Sequence, residues 1–240
     1  MHMDVIDLRE FYARPLGRVS RRLIARQIGQ LWPDMGGLTV VGLGYATPYL
    51  RAFLGDAERV IGLMPAPQGV VHWPPEGPGL TALAEETDLP LADESVDRVL
   101  VVHGVENSEA LRGMLRQIWR VLRPSGRVLL VVPNRRGLWA RLESTPFGHG
   151  RPFSRGQLTD LLRESLFTPT GWSVSLFMPP LNWRPIVRSA RAWEQFGHYL
   201  GARFAGVILV EATKQIYAGT APAGGQRVRA RRVYVGLASR

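Results

Sequence analysis

The sequence LTVVGLGYAT, residues 38–47, decides the fold. Its first six positions form a largely apolar run rich in β-branched side chains, which is typical of a strand buried on both faces. The small residues that follow form a turn, and a helix is predicted for 48–54, because proline is tolerated in the first turn of a helix. In an open α/β sheet, ligands bind at a turn of this kind. The stretch therefore predicts a strand, a binding turn and a helix in succession.

Six further segments have the composition of strands and alternate with helical segments. The predicted strands span 59–64, 80–84, 97–102, 127–132, 172–178 and 206–215, and the main predicted helices between them span 108–122 and 154–165. Strands that alternate with helices favour a mostly parallel sheet with helices on both faces. The prediction is an α/β fold with a doubly wound, seven-stranded, mostly parallel sheet.

The chain of 240 residues has the length of one domain with additions. We predict an N-terminal helical cap over 1–37, interrupted at 15–17. The sheet domain is predicted to span 38–220 with an irregular-to-helical insert at 179–205, and a basic tail follows over 221–240.

Composition limits the chemistry that the chain can perform. The sequence contains no Cys, which excludes disulfides, thiolate metal ligands and a Cys nucleophile. We therefore predict no metal site, and the absence of disulfides agrees with a cytoplasmic location. No apolar run has the length of a membrane span, so no membrane partner is expected. The net charge of +10 is the excess of 30 basic over 20 acidic residues. The basic residues are spread along the chain, and all but Lys214 are arginine. A nucleic-acid partner is therefore not favoured.

Three blocks of sequence carry a family resemblance. They are DLPLADESVD at 88–97, RPSGRV at 123–128 and TPFGHGRPFS at 145–154. In this order and separation they resemble the class I S-adenosylmethionine-dependent methyltransferases, in particular the type 11 group that includes quinone-biosynthesis methyltransferases. The resemblance covers about residues 38–167 and implies a Rossmann-like methyltransferase fold whose last strand, 206–215, is antiparallel.

The resemblance implies S-adenosylmethionine as cofactor and places its site on the strand ends and the N-terminal segment. The implied cofactor-binding residues are Tyr12, Gly42, Gly44, Tyr45, Ala46, Met64, Pro65, Glu85, Thr87, Asp88, Leu89 and His103. Two departures from the family stand out, because family members carry acids at the positions of Gly42 and Met64. Methionine cannot accept hydrogen bonds from the ribose hydroxyls as an acid does, so cofactor binding is expected to be weak or lost.

The expected reaction is methyl transfer to a small metabolite. His149, Arg151 and His103 are the candidate catalytic residues, because imidazole can accept a proton and guanidinium can bind an anionic substrate. Asn134 and Arg136 lie on a nearby loop and could contact an anionic or aromatic substrate. The alternative for each is structural: a hydrogen-bonded histidine at a strand end, or a solvated arginine.

A second function class stays open. The missing acids also agree with a catalytically inactive pseudo-methyltransferase that serves as a regulatory or protein-binding partner, with the aromatic insert at 179–205 as its interface. An RNA methyltransferase is supported by the net charge alone.

Overall fold

The computed structural model describes residues 3–215 and contains a seven-stranded sheet of order β3-β2-β1-β4-β5-β7-β6. The strands are β1 (Thr39–Gly44), β2 (Arg59–Pro65), β3 (Thr81–Ala84), β4 (Val96–Val102), β5 (Leu122–Pro133), β6 (Phe167–Ser175) and β7 (Val207–Lys214). The first five strands pair in parallel, and β7 runs antiparallel between β5 and β6. The predicted fold class and its antiparallel last strand are confirmed.

Seven α-helices flank the sheet within residues 3–215. They are α1 (Val5–Ala13), α2 (Pro15–Leu31), α3 (Thr47–Leu50), α4 (Leu111–Val121), α5 (Arg155–Glu164), α6 (Arg184–Arg188) and α7 (Ala190–Leu200). Two hydrophobic clusters result, one on each face of the sheet. The first contains apolar side chains of α1, α2 and α3, and the second contains those of α4 and α5. We call these the α1 face and the α5 face.

The N-terminal helices form part of the core. The break between them lies at Arg14, and Pro15 begins α2 instead of interrupting a helix, because proline fits the first helical position. Apolar side chains of α2, among them Ile24 and Ile28, are buried on the α1 face. A Cβ at Gly17 would collide with the carbonyl oxygen of Phe11, so the two helices need glycine at their crossing.

Several predicted boundaries are wrong. The helix predicted for 48–54 consists of Thr47–Leu50 and a 3₁₀ turn over Arg51–Phe53. The sixth strand, predicted for 172–178, spans Phe167–Ser175. It begins earlier than predicted because its pairing with β7 continues past an irregularity between Pro169 and Gly171. β5 begins at Leu122, since residues 123–126 are accommodated as an irregularity in its pairing with β4.

The insert at 179–205 contains α6 and α7, and its Ile186, Val187 and Trp193 pack against the α1 face. The predicted tail over 221–240 lies outside the described residues. Among residues 3–215 no helix combines the length and the apolar character needed to cross a membrane. The same residues contain no group of His, Asp and Glu side chains that could hold a metal ion.

Candidate functional site

The topological switch point lies between β1 and β4, where the strand order reverses direction. β1 ends at Gly44, which adopts a φ of +78°, and a Cβ there would collide with the carbonyl oxygen of Val102. The next amide, Tyr45 N, donates a hydrogen bond to that same carbonyl at 2.8 Å. Glycine is required here because the turn must fold tightly against the end of β4.

α1 crosses the carboxyl ends of these strands. The Tyr12 hydroxyl lies 2.8 Å from Nε2 of His103 and 2.9 Å from the hydroxyl of Tyr49. Its ring stacks on Tyr45 with centroids 5.7 Å apart. At the N-terminal end of α1, Val5 lies next to Gly69, which follows β2. One helix therefore covers the ends of β1, β2 and β4.

His103 and Glu106 form a buried polar pair directly after β4. Nδ1 of His103 lies 3.2 Å from Oε1 of Glu106, and both side chains are completely buried. His103 has a φ of +53°, a left-handed conformation that is costly for a residue with a Cβ. Oε2 of Glu106 has no hydrogen-bond partner within the described chain. Strain and an unpaired carboxylate oxygen at one turn point to a role beyond packing.

The phenols around His103 are hydrogen-bond donors in this setting. Burial raises the pKa of Tyr12 and of Tyr49 well above the usual value, and it raises the pKa of Tyr45 to about 12. Because the phenols stay protonated, Tyr49 can donate to Tyr12, Tyr12 can donate to Nε2 of His103, and Nδ1–H can donate to Glu106. The network assigns this tautomer.

The structure places the positions of the two missing family acids in the interior. A Cβ at Gly42 would lie 2.6 Å from Cδ1 of Leu50 and 2.7 Å from Cβ of Ala46, so no acidic side chain fits there. Met64 is completely buried in the cluster on the α1 face, and Pro65 is buried beside it. Both positions are filled by packing.

The predicted residues after β3 divide between surface and interior. Glu85, Thr87 and Asp88 are exposed, and a bridge between Glu85 and Asp88 holds them in one turn. Leu89 is buried in the cluster on the α5 face. The neighbouring Glu86 accepts hydrogen bonds from Ser108 Oγ and from the Ala110 amide, so it holds the segment before α4.

His149 and Arg151 lie on the loop between β5 and α5. Nε2 of His149 is hydrogen-bonded to the carbonyl oxygen of Glu143 at 2.8 Å, and the exposed Arg151 donates its backbone amide to the carbonyl oxygen of Glu106 at 2.8 Å. The same loop sends the ring of Phe147 to within 4.8 Å of the His103 ring. This loop thus contacts the His103–Glu106 pair through the ring of Phe147 and through its backbone.

Four residues near the carboxyl ends of β1, β2 and β4 were not predicted from the sequence, namely Tyr49, Gln68, Glu106 and Phe147. Gln68 follows β2 and is buried with an unpaired Oε1, and Thr145 Oγ1 and Asn107 Oδ1 are also buried without a partner among the described residues. The spacing His103-x-x-Glu106 after a predicted strand was the one available signal, since it places both side chains at the same turn.

Comparisons with known proteins agree with the family that the sequence indicates. Residues 39–130 match a family model described as a methyltransferase domain. Over 123 residues the chain is 28% identical to a ubiquinone/menaquinone biosynthesis C-methyltransferase of Rubrivivax gelatinosus, with 50% of this chain and 49% of that protein aligned. The chain thus spans about half the length of this curated relative.

Solved structures share the fold over most of the chain. A possible histamine N-methyltransferase of Thermotoga maritima has a TM-score of 0.60 at 18% identity, with 88% of this chain and 96% of that chain covered. A putative methyltransferase complexed with the Trm112 activator of Haloferax volcanii has a TM-score of 0.56 at 16% identity, with 88% and 92% covered. The 1,6-didemethyltoxoflavin-N1-methyltransferase of Burkholderia thailandensis, solved with S-adenosylhomocysteine, has a TM-score of 0.51 at 17% identity, with 84% and 79% covered.

The matched residues 39–130 contain β1 to β4, the glycine turn after β1 and the His103–Glu106 pair. The mostly parallel sheet with an antiparallel last strand agrees with the fold that the family resemblance implied, and the solved relatives share the fold over most of the chain. Residues 39–130 are thus similar to a methyltransferase domain, and the described residues have the Rossmann-like methyltransferase fold that the resemblance to the class I S-adenosylmethionine-dependent methyltransferases implied.

Proposed function

We propose that this domain transfers a methyl group from S-adenosylmethionine to a small molecule, with α1 as a lid over the carboxyl ends of β1, β2 and β4. The observation that carries the proposal is the strained, buried His103–Glu106 pair, hydrogen-bonded through Nε2 to Tyr12 of that lid. Burying a carboxylate oxygen without a hydrogen-bond partner costs free energy, so packing alone does not explain Glu106.

The residues fit S-adenosylmethionine at its adenine end only. Glu85, Thr87 and Asp88 are exposed on one turn after β3 and can accept hydrogen bonds from an adenine amino group. At the ribose and methionine ends, Met64 and Gly42 provide no acid, and Tyr12 and Tyr45 are buried against each other. Binding of the complete cofactor therefore requires α1 to lift and Tyr45 to turn.

Several buried polar atoms that lack a hydrogen-bond partner among the described residues lie on loops that follow the parallel strands. They are Oε1 of Gln68, Oε2 of Glu106, Oδ1 of Asn107 and Oγ1 of Thr145. These residues follow β2, β4 and β5, whose carboxyl ends meet at the same edge of the sheet. A polar ligand admitted by lid opening would satisfy them, which favours a binding site over a permanently closed interior.

His103 is the group that can move a proton. When α1 lifts, Tyr12 leaves Nε2, and this nitrogen is then free to accept a proton from a hydroxyl or carbon acid of the acceptor. Glu106 holds Nδ1–H and stabilises the imidazolium that forms. When bound, S-adenosylmethionine supplies the electrophilic methyl group.

A second candidate function is a catalytically inactive domain that binds a protein through residues 179–205. Side chains in this insert expose apolar surface, namely Leu181, Trp183, Phe196, Tyr199 and Phe204. The filled Gly42 and Met64 positions agree with a lost cofactor site. A structural relative was solved in complex with an activator protein, which supports a protein partner as the alternative.

Calorimetric titration with S-adenosylmethionine and S-adenosylhomocysteine separates the two candidates. We expect micromolar to low-millimolar dissociation constants, because one acid contact at the ribose is missing. Tyr12→Phe is expected to bind at least as tightly as wild type and to associate faster, since the hydrogen bonds that close the lid are lost. Tyr199→Phe, on the exposed insert, is the matched control. The absence of heat at millimolar ligand in wild type and in Tyr12→Phe would exclude the enzyme and favour the inactive domain.

A further inference from the structure

A cavity of about 870 Å³ opens on the α5 face, away from the site beneath α1. Its walls include Trp172, Val174 and Ile208, which belong to the cluster on the α5 face. Tyr12 and Phe147, which contact His103, belong to the opposite cluster. The volume lies within the range of about 300–1,000 Å³ that is usual for small-molecule sites.

A buried amide fixes the shape of this cavity. Nδ2 of Asn134, at the end of β5, donates to the carbonyl oxygens of Ala202 at 3.1 Å and Ala205 at 2.8 Å. Its Oδ1 accepts from the backbone amide of Arg136 at 3.2 Å. The expectation that Asn134 contacts substrate is thus replaced by a structural role, because its side chain ties the loop after β5 to the segment before β7.

Three arginines surround the cavity and give it a positive potential. Arg136, Arg155 and Arg203 line it from three separate segments, and all three are exposed. None of the three forms an ion pair with a carboxylate of residues 3–215, and no acidic side chain stands among the described residues that line the cavity. Like charges held together in this way attract an anion.

Aromatic side chains add an apolar surface beside the arginines. The guanidinium of Arg155 lies 4.5 Å from the centroid of the Trp172 ring, which holds that arginine at the wall. Phe204 lines the cavity with 55% of its surface exposed. An anion with a flat apolar body would cover this surface and meet the guanidinium groups.

The first turn of α5 also lines the cavity. Ser154 and Gln157 form a capping box there, which satisfies the amides of those two residues. The amides of Arg155 and Gly156 take no part in the box, and a Cβ placed on Gly156 would meet open space. The first turn of α5 therefore adds favourable dipole potential for an anion to that of the arginines.

We propose that this cavity binds a small anion whose charge is attached to a flat apolar body, such as an aromatic carboxylate. The three arginines select the charge, and Trp172 with Phe204 selects the flat body. This site does not depend on the proposed methyl transfer, because none of its residues lies beneath α1.

Calorimetry at fixed ionic strength with three probes tests the proposal. The probes are 2-naphthoate, its neutral isostere 2-naphthamide, and acetate, which carries the charge without the flat body. We expect 2-naphthoate to bind with a dissociation constant of about 10–1,000 μM, at least tenfold tighter than the other two probes. S-adenosylhomocysteine is left out, so failure here leaves the proposed function untouched.

Two pairs of variants locate the binding. The double variant Arg136→Gln/Arg203→Gln should weaken 2-naphthoate at least tenfold, whereas Arg59→Gln should change it less than twofold. Arg59 is exposed at the amino end of β2, at the opposite edge of the sheet. Gly156→Leu should block the cavity, whereas Gly29→Leu places the same side chain on an exposed position of α2. Circular dichroism confirms that each variant is folded.

Several results would overturn the proposal. Equal affinity for naphthoate and naphthamide would remove the role of the arginines. Equal weakening of naphthoate binding by Arg59→Gln would mean that only the net charge of the protein matters. Displacement of naphthoate by a short single-stranded RNA at moderate salt would identify the patch as a nucleic-acid surface instead.

Discussion

The two ends of the same sheet edge are built in opposite ways. At β1, β2 and β4 the carboxyl ends are covered by α1 and filled with tyrosines, a histidine and Met64. At β5 and β6 the carboxyl ends, with the amino end of the antiparallel β7 between them, open into a cavity that is lined by arginines. The glycine turn after β1 lies at the closed end, whereas the groups suited to an anion lie at the open end. Open space therefore marks the second region, whereas the first is filled by side chains.

We expect Met64→Asp to give the largest loss of stability in the closed region beneath α1. An acid at this position could accept hydrogen bonds from ribose hydroxyls, but Met64 is completely buried in the cluster on the α1 face. A carboxylate there has no partner, so we expect a loss of about 3 kcal/mol or more in the free energy of unfolding. Urea denaturation measures it, with Met64→Leu as control at a cost below about 1.5 kcal/mol. An aspartate variant as stable as wild type would mean that the side chain reaches solvent and that the region is open.

Tyr12→Phe should loosen the lid without disturbing the sheet. It leaves Nε2 of His103 and the hydroxyl of Tyr49 without their partner, which costs about 1–3 kcal/mol. The matched control, Tyr199→Phe, removes a hydroxyl from a side chain that is 89% exposed and should stay within about 0.5 kcal/mol of wild type. Equal stabilities of the two variants would contradict the hydrogen-bonded closure.

Alkaline pH should weaken the closed region through its phenols. Burial raises the pKa of Tyr12, Tyr45 and Tyr49 in the folded state, so the unfolded chain loses these protons first. Their contribution to stability is present below about pH 10 and is lost as pH rises above it, by about 1 kcal/mol between pH 9 and pH 10 for the three together. Urea denaturation at both pH values measures the loss, and Tyr45→Phe should reduce it by about a third. A loss unaffected by Tyr45→Phe would place that phenol in solvent.

The smallest expected effect concerns the open region. Gly156→Ala adds a methyl group where a Cβ meets nothing, and alanine is the better helix former, so we expect a gain of a few tenths of a kcal/mol. Thermal unfolding beside Gly29→Ala, which also has open space, checks this expectation. A clear loss at Gly156 alone would indicate that the wall of the cavity is closer than the structure has it.

The strands could be predicted from sequence because their apolar runs are continuous, as in the segments that became β1 and β4. The departures at Gly42 and Met64 were also visible, since they depend only on position within known motifs. The pairing of Tyr12 with His103 could not be predicted, because it joins side chains 91 positions apart. The same holds for the cavity, in which Arg136, Trp172 and Arg203 meet only through the antiparallel insertion of β7.

Hydrogen exchange of the backbone amides of α1, measured by mass spectrometry with and without S-adenosylhomocysteine, tests the central claim most directly. If α1 is a lid, amides over Val5–Ala13 should exchange at least tenfold faster than those over Pro15–Leu31, and saturating ligand should slow them. If α1 exchanges as slowly as α2 and ligand changes nothing, α1 is a fixed part of the core and the site beneath it does not open.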